Sequence, residues 1–286
     1  MKILLAIPHV FAPKPDSLYS SQTESKRAIK ERALFQTTIG NLERHGPNQW
    51  IHASLGKGKP IVTRPVKSEI HMDITIQLFT PREASLADSL PSDARLQVID
   101  PQLSDFTQIP LFASRYLLEQ ADDYDLVGYL EDDLLIEDRD FFQKVLWLES
   151  QTDGSYAFLP HRCEVMQGHG DVILSGDPDG GRPDLFWDTG EILSVHWPLG
   201  EIQFYRATNP HSGCYFLSKR QAIKLCNWWD SRGWISPFTL SGPLEQAASG
   251  LLLPVMKVMK TMPQYYRFLM VCHQDNLWRN HPFEVA

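Results

Sequence analysis

The sequence predicts an α/β fold: a mostly parallel sheet flanked by helices, followed by a mixed C-terminal half. In the first half of the chain, apolar segments of strand length alternate with segments of helical periodicity, which is typical of a parallel sheet. Lys2–Ile7 and Leu126–Leu130 are continuous apolar runs, as expected for strands buried on both faces. The 286 residues, 43% hydrophobic and 22% charged, have the composition of a soluble globular protein. We expect one domain over residues 1–286.

Each element of the first half has its own signal. Thr23–Arg44 carries apolar residues at roughly helical spacing, and the Gly-Pro pair at 46–47 ends the predicted helix. Alternation of apolar and polar residues predicts a strand at Ile74–Phe79. The other predicted elements of this half are strands at Trp50–Leu55 and Leu96–Ile99 and a helix at Leu111–Glu119.

The second half predicts a mixture of strands and helices. Ser218 is placed to cap a helix that runs through Trp229. Gly, Asp and Pro are concentrated in Asp177–Asp184, which predicts an exposed loop. The remaining predictions are helices at Phe141–Glu149 and Leu244–Leu252, strands at Tyr156–Pro160 and Gly213–Leu217, a strand pair at Glu191–Phe204, and an irregular tail with short helical pieces at Met262–Ala286.

Composition excludes several classes of protein. The net charge of -8 is unfavourable for nucleic-acid binding, and no apolar run reaches the 18 residues of a membrane span. The N-terminal apolar stretch is interrupted by Pro8 and His9, so we expect a buried strand rather than a signal peptide, and a cytoplasmic protein. The four cysteines lack C-x-x-C spacing, which predicts free thiols. The Trp-rich stretch 227–234 fits an acceptor platform, a peripheral membrane contact or core.

The sharpest feature is the acidic triplet, Glu131, Asp132 and Asp133, at the end of the predicted strand Leu126–Leu130. Apolar residues resume at once with Leu134–Ile136. Adjacent like charges repel one another and are costly to bury, but a divalent cation offsets this repulsion, and carboxylate oxygens suit Mg²⁺ or Mn²⁺. The triplet therefore predicts a cation site beyond a strand end, where ligands of open α/β sheets bind. The alternative is an acidic surface turn.

At these residues the chain resembles the metal-dependent glycosyltransferases of the GT-A fold. The triplet is similar to their Asp-x-Asp element and its Glu-Asp-Asp variants, and HSGCYFLSKRQAIKLC (211–226) is similar to a small-residue turn that leads through a strand into a helix. Glu245 in SGPLEQAAS and His273 in VCHQDN follow in the family's order. Two departures are Glu131 in place of Asp, and Glu-Gln at 245–246 where two acids are common.

The resemblance implies a donor site and a Mn²⁺ or Mg²⁺ site in the first half, residues 1–135. Asp133 and His273 would coordinate the cation, with Glu131 assisting or binding the donor ribose, and Asp132 would approach the ribose or sugar. The nucleotide base would lie at the end of the first strand, beside Pro8, His9 and Val10. Arg115 would reach a phosphate or pair with Asp132. Lys26, Arg27 and Lys30 fit either diphosphate binding or a solvated helix face, and the solvated face is favoured.

Residues 136–286 would bind the acceptor and include the tail. An inverting enzyme needs a base for the acceptor hydroxyl, for which Glu245 is the first candidate and Asp188 the second. Phe186 and Trp187 would stack on a sugar ring, and His161 would line the acceptor side.

The resulting hypothesis is metal-dependent transfer of a sugar from a UDP- or GDP-linked donor to a hydroxyl acceptor, such as a saccharide, with inversion. A metal-dependent phosphohydrolase and an inactive carbohydrate-binding protein of the same fold are the alternatives. The chain lacks the P-loop, dinucleotide and nucleophile-elbow motifs, which argues against those enzyme classes.

Overall fold

The computed structural model describes residues 1–13, 23–46, 49–53, 58, 62–66, 71–166, 170–173, 190–207, 210–235 and 242–274. Within these ranges the strands are β1 Lys2–Pro8, β2 Gln49–Ala53, β3 Val62–Val66, β4 Asp73–Phe79, β5 Leu96–Ile99, β6 Leu126–Leu130, β7 Leu134–Leu135, β8 Tyr156–Phe158, β9 His161–Met166, β10 Gly170–Ile173, β11 Ile192–Trp197, β12 Gly200–Arg206, β13 Cys214–Ser218, β14 Lys257–Thr261 and β15 Met270–His273. The α-helices are α1 Arg27–Phe35, α2 Asn41–Arg44, α3 Ile109–Glu119, α4 Phe141–Gln151, α5 Lys219–Asp230 and α6 Pro243–Glu245, with π-helical segments at Gln36–Gly40 and Gln246–Gly250.

The central sheet has the strand order β13-β6-β1-β4-β5. Strand β1 lies parallel to both β4 and β6, β5 is parallel to β4, and only the edge strand β13 runs antiparallel to its neighbour. Ile3 pairs with Leu126 and Ala6 with Tyr129, so the carboxyl ends of β1 and β6 open at the same edge of the sheet. The predicted α/β fold with a mostly parallel sheet is therefore confirmed.

Alternate residues of β1 belong to two separate hydrophobic cores, because successive side chains of a strand point to opposite faces. Ile3, Leu5 and Ile7 pack with α1, α2 and α4, whereas Leu4 and Ala6 pack with α3 and α5. All five are fully buried. Burial of each Leu or Ile side chain contributes roughly 1.5–3 kcal/mol, so this strand is a main anchor of the fold.

The mixed C-terminal half is also confirmed. Two four-stranded sheets have the orders β11-β12-β14-β8 and β10-β9-β15-β7. In the second of these, β15 lies between β9 and β7, parallel to the first and antiparallel to the second. His273 pairs with Leu134, and this pairing brings the end of the described chain beside the acidic triplet.

Several elements differ from the sequence predictions. The predicted helix Thr23–Arg44 is interrupted by the π-helical segment, where the hydroxyls of Thr37 and Thr38 donate to backbone carbonyls one turn earlier and compete with the regular ladder. Most of Leu244–Leu252 is likewise π-helical or turn rather than α-helix. Strand β15 lies inside the tail that was expected to be irregular, and the loop Asp177–Asp184 lies outside the described residues.

The structure also bears on the predictions for the cysteines, for a membrane span and for the Trp-rich stretch. All four cysteines are free thiols, as predicted, and all four are buried. Among the described residues, no helix is long and apolar enough to cross a membrane. Of the Trp-rich stretch, Trp229 is a core residue whose indole donates to the carbonyl of Leu251.

Candidate functional site

A cleft of about 340 Å³ opens at the carboxyl ends of β1 and β6. It receives side chains from the ends of both strands, from α1, from the start of α3 and from α6. The lining residues are Pro8, His9, Val10, Lys30, Phe106, Thr107, Ile109, Pro110, Glu131, Asp132, Asp133, Gly242, Pro243, Leu244 and Glu245.

Backbone hydrogen bonds fix the acidic triplet at the mouth of β6. The Glu131 N–H donates to the carbonyl of Gly213 (2.8 Å), and the Asp133 carbonyl accepts from the Gln274 N–H (2.8 Å). Gly213 adopts φ +67°, and a Cβ there would lie 2.7 Å from Glu131 Oε2. Only glycine suits this position, because the left-handed backbone and the close carboxylate both exclude a side chain.

Asp132 is joined to His9 from the end of β1. His9 Nδ1 lies 2.6 Å from Asp132 Oδ2, and His9 Nε2 accepts the backbone N–H of Leu86 (3.1 Å). Since Nε2 is an acceptor, the ring proton is on Nδ1 and is donated to Asp132. This bond ties the carboxyl ends of the two central strands together through their side chains.

The two oxygens of Asp133 differ in their surroundings. Its Oδ2 lies 3.2 Å from Lys30 Nζ and 3.5 Å from His273 Nε2, while the buried Oδ1 has no hydrogen-bond partner among the described residues. Burial opposes ionisation of this carboxyl, but His273 and Lys30 outweigh it and hold the pKa of Asp133 well below its usual range. The carboxylate is therefore charged and oriented.

His273 bridges Asp133 and Glu164. Its Nδ1 lies 2.7 Å from Glu164 Oε1, and Glu164 is only 1% exposed. Burial alone would lower the pKa of His273, but Asp133 and Glu164 raise it to about 10. Without a bound cation, His273 is thus an imidazolium that donates to two carboxylates.

Glu131 faces a second set of basic groups. Its Oε2 lies 3.4 Å from Arg162 Nη1, and its Oε1 lies 3.7 Å from His211 Nε2. Lys260 Nζ donates to the His211 carbonyl (2.8 Å). Burial, together with Arg162 and Lys260, lowers the pKa of His211 well below its usual value, so this imidazole is neutral.

Glu245 lines the opposite part of the cleft from α6. A Cβ on Gly242, the residue before this helix, would overlap Glu245 Oε2, so the carboxylate folds back over the glycine backbone. The side chain is half-buried. A half-buried carboxylate in the same cleft as the acidic triplet is a group of the type that can act as a general base.

The donor atoms at Asp133 and His273 fit a divalent cation. Within the described part of the chain, the buried Asp133 Oδ1 lacks a hydrogen-bond partner, and an imidazole nitrogen lies 3.5 Å from the other oxygen. No group of three or more His, Cys, Asp or Glu side chains in the described part of the chain is arranged to hold a metal ion. A two-residue protein site is nevertheless usual where substrate phosphates complete the coordination, as Mg²⁺ sites show.

The structure brings together most of the predicted site residues. Those that line the cleft are Pro8, His9, Val10, Glu131, Asp132, Asp133 and Glu245. His273 reaches the same site through its contact with Asp133. Asp188, Phe186 and Trp187 lie outside the described residues, so their roles stay predictions.

Neither Arg115 nor His161 lines this cleft. The Arg115 guanidinium donates to Glu119 (2.8 Å) and stacks over Trp234, away from the cleft lining. The i, i+4 spacing of Arg115 and Glu119 on one helix makes this pairing favourable. His161 is buried, and its Nε2 lies 2.6 Å from the carbonyl of Thr261. Burial lowers the pKa of His161 to about 4.

Other site residues were missed or misjudged. Lys30 was assigned to a solvated helix face, but its side chain is only 8% exposed and lines the cleft. The signal was present, because Ala33 and Leu34 lie three and four residues later on the buried side of the same helix. Arg162 and Glu164 alternate with His161 along β9, so strand periodicity places them on the other face.

Two solved structures resemble this one in overall fold. GalNAc-T7, in complex with UDP, GalNAc and Mn²⁺, matches 95% of this chain at 10% identity and a TM-score of 0.44. The match covers only 43% of that chain, so the present protein spans less than half of its length. An active-site mutant of LgtC matches 96% of this chain and 86% of its own, at 12% identity and a TM-score of 0.41.

No protein-family profile and no curated protein sequence matches the chain. The central sheet, with its parallel core and antiparallel edge strand, has the predicted mostly parallel α/β architecture.

Proposed function

We propose that this protein is a glycosyltransferase that moves a sugar from a nucleoside-diphosphate donor to a hydroxyl acceptor. The observation that carries the proposal is the cleft itself, where an acidic triplet at a strand end, with Glu131 and Asp133 buried, and the half-buried Glu245 share one cavity. Ligands of open α/β sheets bind beyond the carboxyl ends of the strands. A cleft of about 340 Å³ is within the range of small-molecule sites.

The donor is proposed to bind on the β1 side of the cleft. Pro8, His9 and Val10 form the wall for the nucleotide base, and the bond between His9 and Asp132 fixes the carboxylate that approaches the ribose or sugar. In this proposal residues 1–135 supply most of the donor site, and residues 136–286 supply the acceptor site.

Asp133 and His273 are the residues proposed to hold Mn²⁺ or Mg²⁺, with Glu131 assisting or binding the donor ribose. When bound, such a cation stabilises the negative charge that develops on the departing diphosphate. Glu164 would keep His273 oriented, since metal-ligating histidines commonly donate their second nitrogen to a carboxylate.

Glu245 is proposed as the base for the acceptor hydroxyl. Its carboxylate would take the proton as the hydroxyl oxygen attacks the sugar carbon from the face opposite the leaving group, which inverts the configuration. The proposed donor is a UDP- or GDP-linked sugar, and the proposed acceptor is a saccharide. Phe186 and Trp187 are proposed to stack on a sugar ring, and Asp188 is the second candidate for the base.

Calorimetric titration with UDP and GDP, with and without Mn²⁺, tests the proposal. One nucleotide should bind in a Mn²⁺-dependent manner, and Asp133→Ala should abolish that binding. Asp123→Ala is the matched control, because Asp123 is an exposed acid on a turn before β6. It should bind as the wild type does.

Failure of both nucleotides to bind under every metal condition would refute the donor site. Hydrolysis of simple phosphate esters that depends on Asp133 would then favour a phosphohydrolase. Tight nucleotide binding without transfer to any saccharide acceptor would favour an inactive binding protein.

A further inference from the structure

A buried lysine already occupies the cation side of the acidic triplet. Lys30 extends from α1, and its side chain is only 8% exposed. Its ammonium lies 3.2 Å from Asp133 Oδ2 and 3.9 Å from Asp132 Oδ1. A buried lysine is costly unless carboxylates offset its charge, and here it lies between two of them at the lining of the cleft.

The oxygen that Lys30 contacts is also close to the proposed metal ligand His273. Asp133 Oδ2 lies within 3.5 Å of both Lys30 Nζ and His273 Nε2. A divalent ion held by Asp133 and His273 would therefore lie a few ångströms from the lysine ammonium. Like charges at that distance repel strongly in a partly buried site.

We infer that Lys30 is the counterion of Asp132 and Asp133 as long as no divalent cation is bound. When such a cation binds Asp133, the Lys30 ammonium moves to contact the donor diphosphate. This inference rests on the proposed function. Lysine suits such an exchange because it is a compact point charge on a flexible four-carbon stem. Lys30 lines the same cleft as His9 and the triplet, so a diphosphate bound there is within the reach of its side chain.

The inference makes two predictions of opposite sign for Lys30→Met. Binding of Mn²⁺ alone should become about tenfold tighter, because the competing charge is gone. Binding of the nucleoside diphosphate at saturating Mn²⁺ should become about tenfold weaker, because a charge-assisted contact to phosphate is lost. A purely structural role would weaken both, since it would disorder the acidic triplet.

The experiment uses the full chain. Free Mn²⁺ is followed by electron paramagnetic resonance without nucleotide, and UDP and GDP are then titrated calorimetrically at saturating Mn²⁺. Lys30→Arg keeps the positive charge, so its Mn²⁺ affinity should stay below that of Lys30→Met and its nucleotide affinity above it. Lys26→Met is the matched control, since it removes a lysine that is more exposed and lies one turn earlier, outside the cleft lining; it should change neither affinity.

Loss of both affinities in Lys30→Met, or no change in either, would overturn the inference. Absence of Mn²⁺ binding by the wild type and by Lys30→Met would also overturn it. If the wild type binds neither nucleotide but Lys30→Met binds Mn²⁺ more tightly, the proposed function fails while the counterion role of Lys30 stands.

Discussion

Gly213→Ala should destabilise the protein through one contact with the acidic triplet. The new Cβ would lie 2.7 Å from Glu131 Oε2 and 2.9 Å from Leu134 Cδ1. The leucine methyl is the end of a flexible side chain and gives way at low cost. The carboxylate cannot move without lengthening its 3.4 Å contact with the buried Arg162.

Two costs add up in this variant. An alanine at φ +67° costs roughly 1–2 kcal/mol relative to glycine. Displacement of Glu131 from its buried partners costs about 1–3 kcal/mol more. The free energy of unfolding should therefore fall by about 2–5 kcal/mol.

Gly190→Ala measures the first cost alone, so the difference between the two variants gives the second. Gly190 has almost the same backbone angle, φ +68°, but no atom of the described residues lies within 4 Å of the position that its Cβ would take. This variant should lose only the roughly 1–2 kcal/mol of the left-handed backbone. Urea denaturation followed by tryptophan fluorescence measures both variants. Equal losses would refute the argument that Glu131 is clamped against Gly213.

Three further predictions concern the chemistry of the site. Glu245→Gln should lower kcat by about 10²–10⁴-fold, as expected for loss of a general base, while calorimetry shows an unchanged donor Kd; unchanged turnover would move the base to another residue. Glu164→Gln should weaken Mn²⁺ binding by about 10–100-fold in a metal titration, because His273 loses the carboxylate that orients it, and an unaltered affinity would remove that role. His9→Phe should weaken nucleotide binding by about tenfold, because Asp132 loses its 2.6 Å partner; equal affinity by calorimetry would show that the bond does not shape the donor site.

The order of elements in the first half was readable from local patterns. The continuous apolar run of β1 and the alternation in β4 report burial directly, because side chains of buried strands must be apolar on one or both faces. The acidic triplet could also be recognised from the sequence, because solubility alone does not explain three adjacent carboxylates inside an apolar segment.

Long-range pairing limited the prediction of the second half. Strand β15 has only four residues, and its partners β7 and β9 lie more than 100 residues earlier in the chain. No local pattern distinguishes such a short segment from a loop. The contact between His273 and Asp133 was expected only from a resemblance, and the third member of that group, Glu164, follows from the pairing of β15 with β9.

The positions of individual basic side chains could not be predicted from the sequence for a related reason. Lys26, Arg27 and Lys30 are three basic residues of similar appearance, and only the docking of α1 decides which of them turns inward. Arg115 was predicted to reach a phosphate or to pair with Asp132, but Glu119 offers it a partner four residues along the same helix.

The buried charges around the triplet are themselves an argument for function. Glu131, Asp132, Asp133 and Glu164 are balanced by positively charged side chains from three separate segments of the chain: Lys30, Arg162 and His273. Buried ion pairs are seldom more stable than well-packed apolar residues of similar volume. If stability were the only requirement, apolar residues in place of these ion pairs would serve at least as well. Their concentration around one cleft, at the edge where two parallel strands end, supports the proposal that this part of the molecule binds a charged ligand.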